Sequence, residues 1–128
     1  PFNIMDRRLL NKKILKHIKK KKIEIHIRSI FLQGLLLMKN INIDNYFRKW
    51  KKLFLSWEKY LKVKKIDAKS ACVNYALSIK EFDNVVIGVN NFDQLKEILN
   101  TKKININPPK KIMSNSKLLI NPYLWKTK

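Results

Sequence analysis

The chain has one cysteine, two glycines and four prolines in 128 residues, and nine acidic side chains against 29 basic ones. The lone Cys72 excludes an internal disulfide framework and any zinc site built on several thiolates. No apolar stretch reaches the roughly 18 residues needed to span a membrane; the longest candidate, 29–38, is broken by Gln33 and Gly34. No low-complexity linker and no internal repeat is present. The start carries no secretory pattern, so the expected location is the cytoplasm. Residue 1 is Pro rather than Met, which fits a processed chain or a piece of a longer one. A composition that is 45% hydrophobic over this length suits one ordinary domain. It argues against a disordered tail and against a two-domain enzyme.

The net charge of +20 points towards a polyanion partner, but the kind of base argues otherwise. Of the basic residues, 25 are Lys and 4 are Arg, whereas readers of bases and phosphates lean on the Arg fork. Lysine is joined by 17 Ile and 14 Asn. All three have A/T-rich codons, so a bias of the coding DNA accounts for the trio without any ligand. Net charge bears on adsorption and colloidal behaviour rather than on function.

Asp6 is expected to cap a helix over 6–22, with Leu10, Ile14 and Ile18 recurring every four residues on its apolar side. The lysines at 19–22 fall at its carboxyl end, where cations complement the helix dipole. A strand over 23–28 follows, in which Ile23, Ile25 and Ile27 alternate with Glu24, His26 and Arg28. After a loop containing Gly34, a long amphipathic helix is expected over 43–63, its stripe formed by Phe47, Trp50, Phe54, Trp57 and Leu61. Asp67 opens the next helix, with Ala68, Ala71, Cys72, Tyr75, Ala76 and Ile79 on one face. The run Val85, Val86, Ile87 reads as a strand covered on both faces. Gly88 ends it, and Asn91 with Gln94 resembles a capping box that starts a helix through Leu99. Beyond Thr101 the periodicity is lost. The lysine-rich tail ends in an apolar cluster, 118–120 and 123–125, expected to dock on the rest. Alternating helices and strands predict an α/β class with parallel strands. Two strands make a poor independent sheet, so the chain reads as part of a larger fold.

The two strand–loop junctions carry a likeness. Ile25-His26-Ile27-Arg28-Ser29-Ile30-Phe31-Leu32-Gln33-Gly34-Leu35-Leu36 resembles the seventh strand and following loop of aldo/keto reductases. Val85-Val86-Ile87-Gly88-Val89-Asn90-Asn91-Phe92-Asp93-Gln94-Leu95-Lys96-Glu97 resembles their eighth strand and the helix after it. The opening Pro1-Phe2-Asn3-Ile4-Met5-Asp6-Arg7-Arg8 is similar to the exit from the sixth strand in bacterial members, and the tail 119–125 to the ending of some of them. The resemblance implies a (β/α)8 TIM barrel. This chain would be its carboxyl-terminal portion: the last βα units over 1–107, with two parallel strands at about 23–28 and 84–88, then a tail over 108–128. It also implies an NAD(P)H-dependent oxidoreductase that interconverts carbonyls and alcohols, with NADP or NAD as cofactor, a small carbonyl substrate and no metal.

By the same resemblance Ser29, Phe31, Leu32, Gln33 and Gly34 line the nicotinamide and pyrophosphate part of the cofactor cleft. Gly88, Val89, Asn90, Asn91, Gln94 and Glu97 border its adenosine end. Barrel active sites lie at the carboxyl ends of strands, and helix amino-termini suit phosphates. Three positions depart from the family pattern. Arg28, also read as a cofactor-binding residue, stands where many members stack an aromatic on nicotinamide; its guanidinium plane can stack there too, but its charge disfavours the oxidised ring. Ile98 replaces the usual adenine-binding Asn, and the turn 88–94 has no Arg or Lys to meet a ribose 2′-phosphate. The family's catalytic Asp, Tyr, Lys and His are expected on segments before residue 1, so the piece alone is expected to be inactive.

The remaining side chains read more plainly. His17 and His26 lack a positioned partner for general acid–base work. Cys72, Trp50 and Trp57 read as packing rather than as nucleophile or base-stacking platform, and the lysines at 19–22 as a solvated helix end. The competing readings are a small lysine-rich nucleic-acid-binding module and a noncatalytic half-barrel. Clustered Arg and aromatics on a strand face, the marks of the first, are missing, so nucleic acid is not the expected partner; nor is a membrane.

Overall fold

The computed structural model describes residues 1–39 and 42–127; Asn40, Ile41 and Lys128, which fall in the expected barrel units and tail, lie outside them. Alternation sets the first strand only in part: Ile25 and Ile27 are buried and His26 is exposed, but Ile23, expected on the same face, lies before the paired segment and is 53% exposed. β1 (His26–Ile27) pairs in parallel with β2 (Asn84–Val85), His26 opposite Asn84 and Ile27 opposite Val85. Both strands are shorter than 23–28 and 84–88, although single bonds extend the ladder. Asp83 N–H donates to the Ile25 carbonyl at 2.9 Å and Val86 N–H to the Ile27 carbonyl at 2.8 Å. On the amino-terminal side Phe2 N–H donates to the Arg28 carbonyl at 3.0 Å. The expectation that Val85, Val86 and Ile87 are covered on both faces is not met, since Val86 is 52% exposed. Phe92 and Leu99 are 73% and 74% exposed. Among the described residues nothing buries these side chains, as expected of the apolar surface a sheet piece leaves open.

The first helix departs from the sequence reading. α1 (Lys12–Lys20) begins after a 3-10 turn, Arg8–Leu10, and its cap is Asn11, whose side chain accepts from Lys13 and Ile14 N–H. Asp6 is buried instead, and its carboxylate takes both the Nε and Nη2 of Arg8, at 2.9 and 2.8 Å. The cause is Asn3: its Oδ1 accepts from the N–H groups of Met5 and Asp6 at 2.9 and 2.8 Å, folding the segment into a tight turn before any helix starts. With the start shifted, Leu15 and Ile18 pack on the core and Ile14 is exposed. Lys19 pairs with Glu81 at 3.8 Å, a solvated helix end as read.

The expected helix over 43–63 is a 3-10 stretch, Asn45–Trp50, continued by α2 (Lys51–Lys64). Phe47, Phe54 and Trp57 of its stripe are buried, with Trp50 and Leu61 half-buried around them. The Trp57 indole donates to the Leu36 carbonyl at 3.0 Å, which ties α2 to the turn Leu35–Leu37. α3 (Ala68–Leu77) starts where expected: Asp67 accepts from Ser70 N–H at 2.8 Å, and Ala71, Cys72, Tyr75 and Ala76 are buried. α4 (Phe92–Leu99) is capped by Asn91, which accepts from Gln94 N–H, while Gln94 Oε1 accepts from Asn90 N–H.

After α4 the chain is irregular yet held by side chains. Asn74 donates to the Lys102 carbonyl at 3.0 Å and accepts from Ile104 N–H at 2.8 Å. Arg7 donates to the carbonyls of Ile4, Pro108 and Pro109 and lies over the Tyr75 ring at 5.1 Å. The tail docks through Ile112 and through Leu119 and Ile120 of α5 (Lys117–Ile120), with Trp125 edge-on to Phe47. Tyr123, expected in the docked cluster, is 93% exposed.

Candidate cofactor cleft

The loop after β1 is built from unusual backbone. Ser29, Leu32, Gln33 and Gly34 all have positive φ, at 63°, 49°, 53° and 82°. Only Gly34 takes that conformation freely; each of the other three costs on the order of 1–3 kcal/mol. Bonds from outside the loop stabilise it. Asn3 Nδ2 donates to the Ser29 carbonyl at 3.2 Å, and the Leu32 side chain is buried in the core as an anchor. Leu32 and Leu35 N–H groups close successive turns on Ser29 and Leu32 carbonyls, both at 3.0 Å.

The second loop leaves β2 beside it, because the Val86–Ile27 bond aligns the two strand ends. Between them lies a cleft of about 810 Å³. Arg28, Ser29, Phe31, Gln33 and Gly34 line one side; Gly88, Val89, Asn90, Gln94 and Glu97 line the other. Thus ten of the twelve residues read from sequence meet in one concavity. Leu32 does not, because it anchors the loop; Asn91 does not, because its side chain is turned back to cap α4.

The sequence reading missed Lys69. It sits in the first turn of α3, and its Nζ pairs with the Glu97 carboxylate across the cleft. The turn 88–94 supplies no cation, but a neighbouring helix brings one to the same end, and no linear pattern signals that approach. Ile98 lines the cleft as well.

The lining has the mixed character of a small-molecule site. Apolar walls from Phe31, Val86 and Ile87 alternate with amide and hydroxyl groups from Ser29, Gln33, Asn90 and Gln94. Nothing lies within 4 Å of a Cβ built at Gly34 or at Gly88, so the backbone is open to a close approach at both positions. His26 is outside the cleft: its Nε2 lies 3.1 Å from Glu24 Oε1 and from Asn84 Nδ2 on an exposed face. Cys72 is fully buried, which pushes its thiol pKa far up, against any nucleophilic use. Among the described residues no three His, Cys, Asp or Glu side chains cluster as a metal site, and no helix is long and apolar enough to cross a membrane.

No curated protein and no solved structure matches the chain. A family model does, over residues 1–112, and it is that of the aldo/keto reductase family. With the match covering most of the sequence, the chain belongs to the aldo/keto reductase family, whose members are NAD(P)H-dependent oxidoreductases built on a TIM barrel.

Proposed function

We propose that this chain is the carboxyl-terminal portion of a cytoplasmic aldo/keto reductase that interconverts carbonyls and alcohols, and that the cleft between the two strand ends is its part of the NAD(P)H site. Residues 1–107 supply the last βα units of the barrel and 108–128 its tail. The observation that carries the reading is the convergence of two loops, more than fifty residues apart, on one cleft lined by Ser29, Gln33, Gly34, Gly88 and Asn90. When bound there, the cofactor supplies the hydride for a carbonyl carbon. The chain's own residues orient it: the left-handed loop 29–34 presents Ser29 and Gln33, and Lys69 with Glu97 flank the opposite end.

Turnover requires a proton donor at the carbonyl oxygen, and neither histidine supports that role. His26 is exposed beside Glu24 outside the cleft, and His17 lies on the lysine-rich α1. The catalytic Asp, Tyr, Lys and His belong, on this reading, to segments preceding residue 1, and the 128-residue chain alone turns nothing over.

Titration of the chain with NADPH and NADH, followed by nicotinamide fluorescence, tests the cleft. Saturable binding is expected for at least one of them. Gly88→Trp, at a position with open space around it, is expected to abolish that binding while leaving the unfolding midpoint in place. Unchanged binding in Gly88→Trp, or no binding by the parent chain, overturns the assignment. The coding DNA upstream of Pro1 tests the remainder: an in-frame extension carrying the catalytic set is expected, and a stop codon there sinks the enzyme reading for this product.

A further inference from the structure

A second cavity, of about 530 Å³, adjoins the cleft and shares Arg28, Ser29 and Gln33 with it. Its other walls come from Leu32 of the same loop, from the amino-terminal segment, including Arg8, and from the tail, including Lys117 and Tyr123. The cavity is strongly one-signed: its lining holds three cationic side chains, and no carboxylate is among its lining residues. Arg8 is neutralised by the buried Asp6. Arg28 and Lys117 are not: among the described residues neither has a carboxylate within ion-pair distance, and the Arg28 guanidinium touches only the neutral Ser29 hydroxyl, at 3.4 Å.

Like charges left without counter-ions around a concavity repel one another unless an anion joins them. The two differ in kind. Arg28 offers a planar fork suited to a carboxylate or phosphate, and Lys117 offers a point charge that attracts without fixing orientation. Arg28 borders both cavities, so an anion held at its guanidinium lies next to the mouth of the cofactor cleft. Of these two cavities, Lys117 and Tyr123 line only the second, whereas Gly88, Gln94 and Glu97 line only the first. The anion site is therefore separate from the adenosine end.

We propose that this second cavity binds the substrate, and that the substrate is a carbonyl compound carrying an anionic group, a carboxylate or phosphate, held by Arg28 and Lys117. The proposal rests on the cofactor reading above for the word substrate; the anion site itself does not.

The test is calorimetric titration of the chain with three probes: 4-carboxybenzaldehyde, its uncharged methyl ester, and glyceraldehyde 3-phosphate as the phosphate arm. The carboxylate is expected to bind about tenfold more tightly than the ester, as for a charge-assisted bond. Glyceraldehyde 3-phosphate against the carboxylate ranks the two sources of the anion, and binding by either supports the site. Lys117→Ala is expected to remove most of that advantage while leaving NADPH affinity at the parent value. Lys20→Ala, on exposed α1, controls for the overall charge. Equal binding of acid and ester with no binding of the phosphate, an unchanged Lys117→Ala, or an equal loss in Lys20→Ala overturns the proposal. Carboxylate preference without NADPH binding instead overturns the cofactor reading and leaves the anion site standing.

Discussion

Asn3 bears the most testable weight in the structure, because one buried side chain organises both the entry segment and the candidate cleft. Its Oδ1 accepts from Met5 and Asp6 N–H, and its Nδ2 donates to the Ser29 carbonyl. Asn3→Ala removes all three bonds; it leaves the Met5 and Asp6 N–H groups unpaired in a buried segment and the Ser29 carbonyl at the wall of the second cavity. At roughly 1 kcal/mol net per hydrogen bond, the expected loss is about 3 kcal/mol, softened where water can enter the space vacated. Against a domain stability of about 5–15 kcal/mol this is large, and it corresponds to a urea midpoint lowered by about 1–2 M. Asn3→Ser retains a short acceptor for the turn but cannot reach Ser29, so about half the loss is expected. The readout is urea unfolding by tryptophan fluorescence, paired with amide exchange of 29–34. That loop is expected to exchange faster than α2 in both variants, because the bond to Ser29 helps hold its left-handed backbone. An Asn3→Ala variant within about 0.5 kcal/mol of the parent, with protection of 29–34 unchanged, refutes the reasoning.

Arg7→Lys keeps the charge but loses the fork that bridges the Ile4, Pro108 and Pro109 carbonyls; a loss of about 1–3 kcal/mol and faster proteolysis near residues 108–109 are expected, and equal stability and cleavage rates contradict this. Burial, with a smaller contribution from Asp67, raises the Cys72 thiol pKa, so iodoacetamide at pH 8 is expected to leave it unmodified until denaturant is added; rapid labelling of the folded chain by mass spectrometry contradicts the packing described. Burial opposes ionisation of Asp67, but hydrogen bonds from the Ser70 side chain and backbone outweigh it and hold the carboxyl below its ordinary value. A carboxyl lowered by folding stabilises above its unfolded pKa, and that stabilisation is lost as pH falls through its folded one. Asp67→Ala is accordingly expected to cost about 1 kcal/mol at neutral pH and little at pH 2, measured by urea unfolding at both; an equal cost at the two pH values removes the cap's charge from the account.

The local pattern was sufficient wherever one short-range interaction dominated. Asp67 at the start of α3 and Asn91 at the start of α4 cap the helices expected of them, because a short polar side chain reaches the N–H three residues on whatever surrounds it. The burial of Ile25 and Ile27 and the Phe47, Phe54 and Trp57 stripe were likewise legible, since burial follows periodicity; Ile23 broke the pattern because it precedes the paired strand. Asp6 failed as a cap because Asn3 competed for the same backbone and an Arg8 partner drew the carboxylate inward. Leu32 and Asn91 do not line the first cleft for a related reason: sequence places a residue on a loop, but which way its side chain turns depends on what lies behind it.

The sequence by itself determined the order of elements, the parallel pairing of the two strands, the family, and two loops that leave neighbouring strand ends. Each of these depends on residue type and spacing along a few consecutive positions. Only the tertiary structure decided the cleft. Lys69 reaches Glu97 from 28 positions away, Asn3 holds Ser29 across 26, and Arg7 clasps the tail across about a hundred. Contacts of that span have no local signature, because they exist only once packing has brought distant segments within hydrogen-bond reach.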